Sequence, residues 1–102
     1  MMTIENYEKE LETRNNKRLH AQGNDVVRYV FGVEYGKKYA RIWYADRTQD
    51  GSEPKYKSVF CFVDENGNIY KPAGWKAPAK GIRATLENPI YFMHELYKTY
   101  RY

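Results

Sequence analysis

The chain has 102 residues, 42% of them hydrophobic and 29% charged, the make-up of one soluble globular domain spanning 1–102. Its formal charge is +4 and its one cysteine excludes an internal disulfide. No apolar run reaches transmembrane length and the acidic start Met1-Met2-Thr3-Ile4-Glu5 has no secretory core, so a cytoplasmic protein with no membrane partner is expected.

Residues 3–22 read as a helix. Thr3 can cap it, Glu5, Glu8, Glu10 and Glu12 fill its first half, and Arg14, Lys17, Arg18 and His20 follow, which suits the helix dipole at both ends. Gly23 is a natural terminator. The apolar stripe is thin, with Ile4, Tyr7, Leu11 and Leu19 only, so the helix packs lightly on its own domain or meets a partner chain.

Two strands follow, Val26 to Tyr35 and Lys38 to Arg47, in which β-branched and aromatic residues alternate with polar ones. Gly36-Lys37 suits a type II′ turn between them. That register pairs Val33 with Ala40, Phe31 with Ile42 and Tyr29 with Tyr44, and makes a core face from this set. The other face, with Arg28, Glu34, Tyr39, Arg41, Trp43 and Arg47, is wet. Residues 48–55 form a polar loop. A third strand, Tyr56 to Asp64, is apolar on both faces around Val59–Val63 and should be central. Cys61 within it reads as a small buried hydrophobe. Asn66-Gly67 signals a hairpin into a short strand, Asn68 to Lys71.

The next stretch, Lys71 to Arg83, holds Lys71, Lys76, Lys80 and Arg83 and no acid. The remaining 13 basic side chains are matched by 13 acidic ones, so this segment carries the whole excess charge. It reads as a basic loop shaped by prolines and glycines, with Trp75 in its middle. Pro78 could open a short helix reaching Leu86, and Asn88-Pro89 a last helix over 89–100. The expected fold is therefore α+β: a four-stranded antiparallel meander with an N-terminal helix and one or two C-terminal helices.

Catalytic patterns are missing. His20 and His94 have no Cys or His at ligand spacing, and there is no nucleophile elbow, phosphate-binding glycine loop or zinc-protease helix. No metal, cofactor or enzymatic activity is expected. Lys57–Val63 faintly echoes the aromatic strand of an RNA-recognition motif, but it lacks the glycines and the element order differs.

Asp64–Arg83, with its Tyr70-Lys71-Pro72-Ala73 and Trp75-Lys76-Ala77-Pro78-Ala79-Lys80 strings, resembles a segment of small uncharacterised bacteriophage-type proteins. The likeness covers about a fifth of the chain. It implies a viral or mobile-element origin and action in a bacterial host's cytoplasm, and brings no activity with it.

Basic groups interleaved with exposed aromatics grip nucleic acid by phosphate neutralisation and base stacking. A non-enzymatic module that contacts nucleic acid or another polyanion through Lys71, Trp75, Lys76, Lys80 and Arg83, extended by Arg41 and Trp43, is the leading expectation. Trp75 reads either as a core anchor or as a stacking residue. The alternative is a protein–protein module, a homodimer or a phage-encoded inhibitor of a host protein. The thin first helix and Tyr97, Tyr100 and Tyr102 point to a dimer through the first or the last helix.

Overall fold

The computed structural model describes residues 2–23, 27–48 and 56–98. Val26, most of the polar 48–55 loop, and Tyr100 and Tyr102 lie outside the described residues. The elements are α1 (Ile4–Ala21), β1 (Val27–Tyr35), β2 (Tyr39–Thr48), β3 (Ser58–Asp64), β4 (Asn68–Pro72), β5 (Pro78–Thr85) and α2 (Met93–Lys98). The five strands form one antiparallel sheet in the order β1-β2-β3-β4-β5, which is also their order in the chain. The fold is α+β, with five strands where four were expected.

The first helix follows its sequence closely. Thr3 Oγ1 accepts the Asn6 N–H at 3.0 Å, and Gly23 takes φ +87° just beyond the C-cap. The β1–β2 turn centres on Lys37 and Lys38, one residue later than expected, with Gly36 N–H donating to the Tyr39 carbonyl at 2.9 Å. Gly36 does not take the positive φ that a type II′ turn requires. Tyr35 therefore pairs with Ala40, Val33 with Ile42 and Phe31 with Tyr44. The slip moves every partner by two residues, an even number, so each side chain keeps its expected face.

A bulge between Ile42 and Trp43 turns both Phe60 and Cys61 into the core. The β3–β4 hairpin is organised by Asp64, whose carboxylate accepts the Asn66 and Asn68 N–H groups, each at 2.9 Å, and the Tyr70 hydroxyl at 2.8 Å. Gly67, at φ +82°, supplies the left-handed residue of that turn.

The largest departure comes at 78–85, which is strand and not helix. Residues 73–77 close a tight hairpin, with the Ala73 and Gly74 N–H groups both donating to the Ala77 carbonyl at 3.0 and 3.3 Å. A strand here satisfies the outer edge of the short β4, and Gly81, at φ +96°, has the left-handed backbone that disfavours a helix. The last helix also starts later than Pro89, at Met93. Residues 90 and 91 lie outside any helix or strand, and α1 uses their carbonyls. Tyr7 Oη donates to Ile90 O, and Asn15 Nδ2 donates to Tyr91 O at 2.9 Å.

One core joins these elements. Tyr7 and Leu11 of α1 and Leu96 of α2 pack on Phe31, Ile42, Phe60, Cys61, Val63 and Ile69 of the sheet, with Leu86 beside them. Cys61 is fully buried, and desolvation pushes its thiol pKa far up.

The thin stripe of α1 is supplemented by polar contacts that the hydrophobic pattern cannot reveal. Asn16 Oδ1 accepts the Tyr29 N–H at 2.6 Å, and its Nδ2 donates to the Tyr29 carbonyl at 2.8 Å. Glu12 accepts the Phe31 N–H at 2.9 Å. These two side chains occupy edge groups of β1 that a further strand would otherwise take. At the opposite edge, β5 carries Pro78, which has no N–H, an exposed Lys80 and the left-handed Gly81. The helix is thus held within its own chain.

Candidate functional site

Among the described residues, one face of the sheet lies under the helices and the other, the open face, carries no helix, though Phe62 on it is buried beneath Tyr39 and Arg41. On the open face, alternation and register bring Tyr39, Arg41 and Trp43 of β2 beside Glu34 of β1 and Phe62 of β3. Arg41 organises the group. Its Nη1 donates to Glu34 at 2.8 Å, and its guanidinium lies 5.8 Å from the Phe62 ring centroid.

The β4–β5 hairpin tip reaches over this face. Arg41 Nε donates to the Trp75 carbonyl at 2.7 Å, and the guanidinium carbon sits over the Trp75 indole at 4.6 Å. The ring is 38% exposed and is not part of the core cluster. Trp75 is therefore held on the surface by an arginine from two strands away.

Two hollows flank the tip. The first, about 180 Å³, is lined among the described residues by Lys37, Lys38, Arg41 and Lys76, by Glu34 as one carboxylate, and by Tyr35, Tyr39 and Phe62 among its rings. Four cations against one anion make it strongly positive. The second, about 350 Å³, is lined by Lys57, Ser58, Val59, Trp75, Tyr97 and the run Pro72–Gly74. Lys57 Nζ lies over the Trp43 ring at 4.3 Å, and 3.9 Å from Glu34. Lys71 Nζ lies over the Tyr97 ring at 4.9 Å. Desolvation raises the pKa of the Tyr97 hydroxyl.

The residues singled out from the sequence separate into groups. Arg41, Trp75 and Lys76 come together at the hairpin tip. Trp43 lies close to them, but its indole fills the space above Gly32, where an added Cβ would meet the ring at 2.3 Å. A glycine in a strand, covered by an aromatic ring of the neighbouring strand, is a packing arrangement, so Trp43 serves the sheet as much as its surface. Lys71 and Arg83 turn to α2. Arg83 Nη1 donates to the Leu96 carbonyl at 2.9 Å, which spends one guanidinium donor on the helix C-terminus. Lys80 is exposed on β5.

Sequence reasoning passed over Lys37, Lys38, Lys57 and Tyr97. The Lys37-Lys38 pair was visible as a dibasic turn. Lys57 and Tyr97 gave no signal, because only the tertiary fold brings them to the tip. Elsewhere, a cavity of about 130 Å³ lies between sheet and helices, lined by Asn15, Tyr29, Phe31, Tyr44, Phe60 and Met93. Among the described residues, no group of three or more His, Cys, Asp or Glu side chains could hold a metal ion, and no helix is long and apolar enough to cross a membrane.

Comparison with known proteins finds one kind of match. The model of a family described as a family of unknown function (DUF7717) covers residues 1–94. No curated protein and no solved structure matches.

Proposed function

This chain belongs to that family of unknown function, and since membership carries no activity with it, we propose from the geometry that the protein is a binding module for nucleic acid or another polyanion. The site is the open sheet face and the hairpin tip. The observation that carries this reading is the hold of Arg41 on Trp75, by a 2.7 Å hydrogen bond and a 4.6 Å ring contact, which joins the basic hairpin to the basic face. Lys37, Lys38 and Lys76 add charge beside it with little acidic opposition. Cations gathered around exposed rings are the chemistry that phosphate or sulfate polymers select.

Anisotropy titration of labelled oligonucleotides, with heparin as competitor, tests the reading at low salt. Binding should be saturable and weakened by joint replacement of Lys38 and Lys76 with alanine. The absence of binding to any polyanion would end it. A second reading, a protein-interaction module such as a homodimer, is supported by the exposure of Tyr35, Tyr56 and Ile82. Light scattering separates a 12.2 kDa monomer from twice that mass.

A further inference from the structure

Resting on the polyanion reading above, we infer that the site takes single-stranded rather than duplex nucleic acid, along a track across the β4–β5 hairpin tip. The track runs from Lys37, Lys38 and Lys76 on one side to Lys57 and Tyr97 on the other. Its basis is the alternation of charge and ring around the tip. Three cations each lie over an aromatic side chain: Arg41 over Trp75, Lys57 over Trp43 and Lys71 over Tyr97, at 4.6, 4.3 and 4.9 Å.

The two hollows differ in chemistry, and the difference matches the two parts of a nucleotide. The first holds four cations and suits phosphates. The second sets the rings of Trp75 and Tyr97 beside Val59, Pro72 and Ala73, with Lys57 and Ser58 as its polar side chains, and suits a base. Trp75 and Tyr97 keep 38% and 46% of their surface exposed, so base contact requires no opening of the core.

A duplex keeps its bases stacked inside and presents a ridge of phosphates, so exposed rings set between cations gain little from it. An unpaired strand offers phosphates and base faces in turn and can bend into both hollows. Each ring supports its cation close to the surface, which reduces the side-chain ordering that binding would otherwise require. Stacking on an aromatic face accepts any base, so a grip tolerant of sequence follows from the exposed Trp75 and Tyr97.

The test uses the full chain with a labelled oligothymidine of about 12 nucleotides and a duplex of equal length. Both are titrated at low salt while tryptophan emission is followed. The single strand is expected to bind roughly tenfold more tightly than the duplex and to quench the tryptophan. Tyr97→Ala should weaken it about tenfold, and so should the joint exchange Lys37→Ala with Lys38→Ala. The lysine pair lies on an exposed turn, so that variant reads binding even if the Tyr97 variant loses its short helix. Equal affinity for strand and duplex with unmoved tryptophan emission would overturn the track while leaving a polyanion site in place. Binding to heparin but to neither oligonucleotide would do the same. A tight single-strand complex indifferent to both variants would overturn the position of the track, and binding to no polyanion at all would overturn the underlying reading.

Discussion

The guanidinium of Arg41 donates from Nε to the Trp75 carbonyl and from Nη1 to Glu34, so its plane is fixed while its face meets the indole. Lysine has no planar fork and could not hold these contacts at once. Because the indole lies outside the core, Trp75→Ala should cost only about 0.5–1 kcal/mol, the size of an exposed cation–π contact. Urea denaturation measures this. A loss of about 3–5 kcal/mol would instead mark a core anchor. Asp64 shows the opposite situation, a side chain whose work is wholly local. Burial alone would raise its pKa, but the hydrogen bonds from Asn66, Asn68 and Tyr70 outweigh that and hold the carboxyl below the ordinary aspartate value. A depressed folded pKa contributes stability above the unfolded value, and that contribution is lost as pH falls through the folded one. Asp64→Asn should therefore destabilise the hairpin by roughly 1–3 kcal/mol at neutral pH. Thermal melts across the acid range should show a smaller pH dependence in this variant than in the parent protein.

At the scale of elements, the first helix shows how far a hydrophobic pattern reaches. Its caps, its span and its two buried residues follow from the sequence, whereas the contacts of Asn16 and Glu12 with β1 do not. Their role depends on an unpaired strand edge lying alongside, which no local pattern encodes. Asn16→Ala would leave both edge groups of Tyr29 without this partner and should cost roughly 1–3 kcal/mol. Hydrogen exchange at the Tyr29 amide should quicken in the same variant. The β1–β2 faces were legible because alternation survives a two-residue slip, although the turn itself lies one position further on. The fifth strand was not legible. Pro78-Ala79-Lys80-Gly81 has neither β-branched nor aromatic residues, and its conformation is set by the edge of β4 that it completes. The candidate site was legible in part for the same reason. The basic segment stands out by its charge, but its partner Arg41 lies 34 residues before Trp75, and Lys57 and Tyr97 join only through the tertiary fold.

For the molecule as a whole, the excess charge of +4 is modest, so its distribution decides how the protein meets a polyanion. Two of the four basic residues that carry it, Lys71 and Arg83, turn to the final helix, and the open face draws on Lys37, Lys38, Arg41 and Lys57 in their place. Affinity for a single strand should therefore fall with salt at about −0.7 in log K per log salt for each phosphate contacted. Joint replacement of Lys37, Lys38 and Lys76 should flatten the slope by about two units if all three meet phosphates. Repeating the titration across a salt series reads both values. The sheet's neighbour-to-neighbour order has a separate consequence, for the timing of assembly. Each strand after the first finds its partner in the strand made just before it, so the sheet can close turn by turn with short loops. The N-terminal helix cannot finish that way. Tyr7 and Asn15 wait for the backbone of residues 90 and 91, which lie 83 and 76 positions further on. During synthesis on a ribosome α1 is made ahead of the strands and can meet the edge of β1 through Glu12 and Asn16 early, but its far side locks only when residues 90 and 91 have been made.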